Sequence, residues 1–356
     1  MKSKHIAILV VILVALIGVY FLLQRPKQTD LSTLYTKITP EIKLNQVEAI
    51  RAINLSNSES EIFIRKSGSR WEIKLKREGE EFFAPVKPNK IEKLITDISS
   101  LTGELRASGK DVLKDFALQK GHGILIEILG KSGKIVEIIV GKKGPRWGSS
   151  FVKLKNSDKV YLVSRDLLVD FDIWTNKPEK GLSVQPWIDL QIIKETPKEI
   201  KEANFKSKKL NWRLFLKEIE EDDEKSGKKE ASNPEENSKY KRRVWIFEKN
   251  GKRHQKSNIE VEEYLSTIFP LYANDILNPK RSKEFHLEDR KGAKKFTFIR
   301  TDGVMKTIYI GSCNKKGDKC YIVDEYGYLF EVSSSWIKTL ENPFKKKAKA
   351  KGNKKQ

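Results

Sequence analysis

Cysteine, methionine and histidine are scarce, at two, two and four of 356 residues. Two cysteines cannot supply a disulfide framework or a four-thiolate zinc site. The histidines, His5, His122, His254 and His286, have no neighbouring Asp, Glu or Cys at ligand spacing. No Gly-x-Ser-x-Gly elbow and no His-Glu-x-x-His pair occurs. Gly141-Lys142-Lys143-Gly144-Pro145 lacks the spacing and the Lys-Ser/Thr end of a phosphate loop. Acidic residues are interleaved with lysines, so nothing isolates the carboxylate pair that general acid/base chemistry uses. The chain therefore offers no candidate catalytic residue, metal ligand set or cofactor site, and an enzyme is the last of the readings it supports.

A second long apolar run is also missing. The one that exists, Ile6–Leu23, is uncharged and would be about 27 Å long as a helix, enough to span a bilayer core. It exceeds the apolar region of a signal peptide and has no Ala-x-Ala end, so an uncleaved single-pass anchor is expected. Basic residues flank both sides, Lys2 and Lys4 before and Arg25 and Lys27 after, and leave orientation undetermined by charge.

What is abundant is positive charge: 70 Lys and Arg against 48 Asp and Glu, a formal net of +22. Lysine is spread over the whole body and concentrated at Lys345–Lys355. That end cannot build a core and is expected as a disordered basic tail over 341–356, suited to anionic lipid or an envelope polymer.

Between the anchor and the tail the patterning is that of half-buried strands. A basic head (1–5), the anchor (6–23) and a juxtamembrane linker (24–46) precede the body. In the linker, Leu31, Leu34, Tyr35 and Ile38 suggest a short amphipathic helix or an irregular stretch. Strands follow at Ile50–Leu55, Glu61–Lys66 and Arg70–Leu75, then a helix capped by Asn89 with Ile91, Leu94, Ile95, Ile98 and Leu101 on one side. Hairpins run through Gly123–Leu129 with Ile135–Val140, and through Phe151–Leu154 with Lys159–Val163, before a short closing helix near Leu167–Trp174.

The same order then recurs: strands at Ile188–Ile193, Trp212–Leu216 and Arg243–Phe247, a capped helix from Asn258, a hairpin ending at Gly311, another ending at Val332 and a closing helix from Ser333. Gly141 to Val163 and Gly311 to Val332 are nearly equal separations. An internal duplication follows, with a first α+β repeat at 47–176 and a second at 177–340. Glu218–Lys239, almost without apolar residues, interrupts the second repeat as a flexible insertion.

Two pairs of residues stand out. Cys313 and Cys320 flank one hairpin connection, where adjacent strands can bring Cα atoms within the roughly 4.4–6.8 Å of a disulfide. Arg146 and Trp147 sit in a loop and are the candidate surface contact. Trp71 and Trp245 occupy matching strands of the two repeats, and core packing accounts for both, which disfavours a nucleic-acid platform.

The Arg70-Trp71-Glu72-Ile73 strand, the proline-containing link into a leucine-rich helix, Ile138-Ile139-Val140-Gly141 and Val160–Val163 together resemble the bacterial family called domain of unknown function 4340. The resemblance implies a membrane anchor carrying repeated α+β modules on the far side of the inner membrane, in some cases beside ABC-type transport components. It brings no catalytic residues. The expected fold class is thus α+β, an N-terminal transmembrane helix followed by two related modules of antiparallel strands plus helices. The expected function is that of an extracytoplasmic structural or interaction protein. Its partners would be membrane lipid through the N-terminal helix, an envelope or ABC-transport protein, and, as the alternative reading, an anionic lipid or polymer.

Overall fold

A computed structural model describes residue 13 and residues 35–175, 181–221, 240–288, 290 and 293–345. The head, the anchor at 6–23 apart from Leu13, the linker up to 34, most of the 218–239 insertion and the tail beyond 345 lie outside the described residues. Among the described residues no helix is long and apolar enough to cross a membrane. The fold is mostly antiparallel sheet with a few helices. It divides into two compact units, one of residues 1–66 with 88–186, the other of residues 67–87 with 187–356.

The first unit holds β1 (Tyr35–Lys37), β2 (Val47–Asn54) and β3 (Glu61–Ser67). The hairpin of β4 (Arg70–Arg77) and β5 (Glu80–Pro85) clusters with the second unit. Helix α1 (Pro88–Ile98), β6 (Thr102–Ser108), β7 (Ile124–Gly130), β8 (Gly133–Lys143), β9 (Ser150–Leu154) and β10 (Lys159–Val163) complete the first unit, whose strands lie in the order β1-β6-β10-β9-β8-β7-β2-β3. Central β7 is buried on both faces, which is why its sequence, Ile124-Leu125-Ile126-Glu127-Ile128, does not alternate simply. On one side Leu125 and Ile139 join Leu113, Leu118, Phe151, Val160 and Leu162 in a cluster. Helix α1 buries Ile91, Leu94, Ile95 and Ile98 at the i, i+3, i+4, i+7 spacing of a single stripe.

The second unit continues with β11 (Gln191–Ile193), β12 (Ile200–Lys206), β13 (Asn211–Glu221), β14 (Tyr240–Lys249), β15 (Lys252–Lys256), helix α2 (Asn258–Leu265), β16 (Leu271–Tyr272), β17 (Asp275–Leu277), β18 (Lys294–Arg300), β19 (Met305–Cys313), β20 (Lys319–Val323), β21 (Leu329–Ser333) and helix α3 (Ser334–Glu341). Its main sheet runs β15-β14-β13-β12-β18-β19-β20-β21-β17, and β11 pairs with β16. The core is aromatic: Trp212 lies against Phe205, Phe247, Tyr264 and Phe296, and its indole N–H donates to the Leu340 carbonyl at 2.7 Å.

One strand order serves both units: β6-β10-β9-β8-β7-β2-β3 in the first reads as β17-β21-β20-β19-β18-β12-β13 in the second. Details recur with it. A single-turn 3-10 helix with a reciprocal cap precedes β2 (Leu44–Gln46) and β12 (Pro197–Glu199). Longer 3-10 segments, Lys110–Phe116 and Pro279–Phe285, each end in a left-handed residue, Ala117 and His286. A Cβ on Gly141 would meet the Phe116 carbonyl oxygen at 2.1 Å and Leu118 at 2.8 Å; on Gly311 it would meet the Phe285 carbonyl oxygen at 2.3 Å and Leu287 at 2.8 Å. Glycine at the end of each strand is thus set by the close approach of backbone, not by an unusual dihedral.

Several elements differ from the sequence expectation. Tyr35–Lys37 is an edge strand paired to β6, not part of an amphipathic helix, and the next apolar residues, Ile38 and Ile42, are buried. The strand expected at Ile188–Ile193 shortens to Gln191–Ile193, and β12 provides the central strand instead. Helix α1 ends at Ile98, and the following residues form β6. The expected helix near Leu167–Trp174 is one 3-10 turn, Val169–Phe171. Glu218–Glu221 are not flexible loop: they extend β13 in register with Tyr240–Arg243 of β14. Their charge is tolerated because a strand pairs through its backbone whatever its side chains.

Candidate interaction surface

The residues singled out in the sequence fall in different places. Cys313 and Cys320 face each other across β19 and β20 and are joined in a disulfide, with Cα atoms 3.9 Å apart, closer than is usual for such bonds. The bond closes the Asn314–Lys319 turn, in which Asn314 and Asp318 also hydrogen-bond at 2.7 Å. Arg146 and Trp147 occupy the turn from β8 to β9 in the first unit, where Trp147 is 98% exposed. These two pairs lie in different units.

Charged clusters that sequence spacing did not reveal are brought together by strand register. Glu127 of β7 lies opposite Glu137 of β8, and Lys134 and Lys155 bridge them, with Arg51 and Glu61 alongside. Hydrogen bonds from Lys134 and Lys155 hold the Glu137 carboxyl down at about 2. Three cations meet three carboxylates here, so the group is closed on itself and offers neither an acid nor a base. In the same unit, burial pushes Asp170 up against the pull of Lys93 at 2.9 Å. In the second unit, Glu195 is 4% exposed and paired to Lys306 at 2.7 Å, with Arg300 at 3.7 Å. Among the described residues no group of three or more His, Cys, Asp or Glu could hold a metal ion.

The second unit carries the more informative feature. On the helix-facing side of its sheet, Leu214 lies opposite Phe247, Leu216 opposite Trp245 and Glu218 opposite Arg243. Helix α2 covers the first pair, so Leu214 and Phe247 are buried. It has eight residues, against eleven in β13, and the sheet outruns it. In the first unit the mismatch is much smaller, with a helix of eleven residues, about 16 Å, over a seven-residue β3 of about 23 Å, against about 12 Å over about 36 Å in the second. The uncovered part of the second sheet is a groove of about 380 Å³. Ile200, Val261 and Leu265 form its buried floor, and half-buried Leu216 and Trp245 its wall. Lys198, Arg243, Asn258 and Glu262 stand at its rim, with the Arg243–Glu218 ion pair at 3.0 Å closing one end.

Trp245 is therefore not a core equivalent of Trp71, which is 8% exposed. The signal that could have located the groove was the unequal length of strand and helix in the two repeats. The charged insertion concealed it, because Glu218–Glu221 read as loop.

Residues 80–244 match the family model described as domain of unknown function DUF4340. The match includes Ile138–Gly141 and Val160–Val163, but not the Arg70-Trp71 strand. Neither the curated proteins nor the solved structures include a match to this chain.

Proposed function

We propose, for a chain whose residues 80–244 belong to the DUF4340 family, the role of a membrane-anchored interaction protein that presents two duplicated modules outside the inner membrane, as an accessory to an ABC-type transport or surface assembly. The observation that carries this reading is the groove beside α2, where Trp245 and Leu216 stand half-exposed on a sheet face that the chain's own helix leaves open. Apolar surface of this kind, rimmed by polar side chains, is the usual mark of a protein contact. The uncharged run Ile6–Leu23 supports the anchor, and the repeated strand order supports duplication.

The test is crosslinking in native membranes through a photoreactive residue at position 216, with protease accessibility of the body in intact and permeabilised spheroplasts. The reading expects one reproducible crosslinked protein, lost in Trp245→Asp, and digestion without permeabilisation. Random neighbours, or protection in intact spheroplasts, would overturn it. The polyanion alternative draws on the net charge of +22 and on an open cleft in the second unit lined by Lys280, Lys283 and Arg290, in which Glu288 pairs with Lys283 at 3.0 Å. It expects association to collapse when salt is raised or Lys345–Lys355 are removed.

A further inference from the structure

The first unit exposes two indoles at one end of its sheet. Trp147 is 98% exposed and Trp174 61%. Strand register places them together. Lys143 at the end of β8 pairs with Ser150 at the start of β9, and Ser150 pairs with Val163 at the end of β10. The turn carrying Trp147 and the segment that leads from β10 to Trp174 therefore leave the sheet at the same end. Lys143 links them: its ammonium lies 5.7 Å from the Trp174 ring centroid and 2.9 Å from Asp166.

Neither indole is exposed through looseness of the chain. The Trp147 turn is closed by the Gly144 amide donating to the Ser149 carbonyl at 2.9 Å, and by the Ser149 amide donating to the Arg146 carbonyl at 3.2 Å. A Cβ on Gly144 would meet Ser149 at 2.3 Å and Leu162 at 2.6 Å, so the turn is seated on the sheet. Gly148 supplies the left-handed dihedral, φ +75°, that turns the chain back. Trp174 is tied by its N–H to Asp172 at 2.7 Å, with the Lys143 ammonium over its ring. Of the cations around the turn, Arg146 has no ion-pair partner among the described residues; Lys142 lies over the Phe116 and Phe151 rings at 5.6 and 5.9 Å, Lys143 is paired with Asp166 and Arg165 with Asp97.

We propose that this end of the first unit, Trp147 and Trp174 with Arg146, is a bilayer-contact surface that seats its indoles in the interfacial zone of an anionic membrane. Indole and cationic side chains are the residues that favour this zone: the ring is apolar enough for the acyl boundary, and the cation meets headgroup phosphate. The length of chain outside the structure points the same way. Strand β1 begins at Tyr35, which pairs with Glu104 beside Leu162 of β10, a residue away from the strand end that carries both tryptophans. The residues between Leu23 and Tyr35, even fully extended, reach only about 40 Å from an anchor that ends at Leu23. The inference rests on the anchor of the proposed function, since it is the anchor that keeps the surface within reach of lipid.

The experiment uses the full chain reconstituted in vesicles of brominated phosphatidylglycerol with phosphatidylethanolamine, and in brominated phosphatidylcholine vesicles. Flotation establishes anchoring, and quenching of indole fluorescence by bromine reports contact with lipid. Trp147→Phe and Trp174→Phe should each remove a distinct part of the quenching found in the anionic vesicles. Arg146→Glu should reduce it by about half or more, and phosphatidylcholine should support less of it than phosphatidylglycerol. Both tryptophans are exposed, so the variants should fold, which unchanged circular dichroism would verify. A chain that floats but shows the same quenching with and without Trp147 and Trp174 overturns the contact and leaves the anchor standing. Shielding of Trp147 from aqueous acrylamide without quenching by bromine also overturns it, in favour of a protein on this surface. A chain that does not float overturns the anchor, and with it the tether that brings this surface to lipid.

Discussion

Replacement of Asp324 by Asn should stabilise the protein at neutral pH and flatten its pH dependence. The Asp324 carboxylate accepts the amides of Tyr326 at 3.0 Å and Tyr328 at 2.9 Å, and so shapes the turn between β20 and β21. Burial pushes its carboxyl up to about 6 from 3.8, and the turn amides pull only partly the other way. The folded state therefore binds this proton more tightly than the unfolded chain. Below about pH 4 the group is protonated in both states and its full contribution is present. As pH rises through 6 that contribution is lost, because folding then holds a carboxylate away from water. A rise of this size corresponds to about 3 kcal/mol at pH 7. The asparagine oxygen can accept the same two amides without a charge, so Asp324→Asn should recover most of that, about 2–3 kcal/mol. Urea titrations at pH 4, 5, 6 and 7 would give the difference between variant and wild type, in which the other carboxylates cancel. The difference should be smallest at pH 4, about 0.6 kcal/mol, and grow towards pH 7 at constant m. A variant less stable than wild type at pH 7, or a difference independent of pH, would refute the assignment of burial as the dominant influence on this group.

Gly311→Ala should lower stability by about 1–3 kcal/mol, because the new methyl meets the Phe285 carbonyl oxygen and Leu287; Gly141→Ala should do the same against Phe116 and Leu118, and thermal melts of both check whether the repeats share this constraint. Lys306→Met leaves buried Glu195 with only Arg300 at 3.7 Å, and should cost about 3 kcal/mol by chemical denaturation at pH 7. Opening the Cys313–Cys320 bond by Cys313→Ser with Cys320→Ser frees only a short loop, so a decrease of about 2 kcal/mol in unfolding free energy is expected, without change in the far-ultraviolet circular dichroism.

Much of the architecture was legible because it follows from periodicity. Alternation in Arg70–Leu75, the short apolar run Val160–Val163 and the stripe Ile91-Leu94-Ile95-Ile98 mark strand and helix through the placing of apolar side chains alone. The recurring hairpins and their terminal glycines, Gly141 and Gly311, were visible for the same reason. Short or charged strands were not. Thr102–Ser108 and Lys252–Lys256 bury little, so no apolar pattern announces them, and they form because an adjacent strand needs its backbone paired. The reading of Glu218–Glu221 as loop failed for the same cause.

The candidate sites divide in the same way. Sequence could pick out Arg146 and Trp147 as residues of a loop, since glycine and proline around them mark a turn. The exposure of Trp147, and the presence of Trp174 at the same sheet end, depend on strand register between segments far apart in the chain. The groove beside α2 is further from the sequence still. It exists because a strand of eleven residues, about 36 Å, is covered by a helix of eight, about 12 Å, and the charged insertion hid the true length of that strand in the sequence. Local apolar patterning thus determined the apolar strands, the long helix and the recurring order of elements. Register and relative length, which arise only when distant segments pair, decided which apolar surfaces were buried and which were left for a partner.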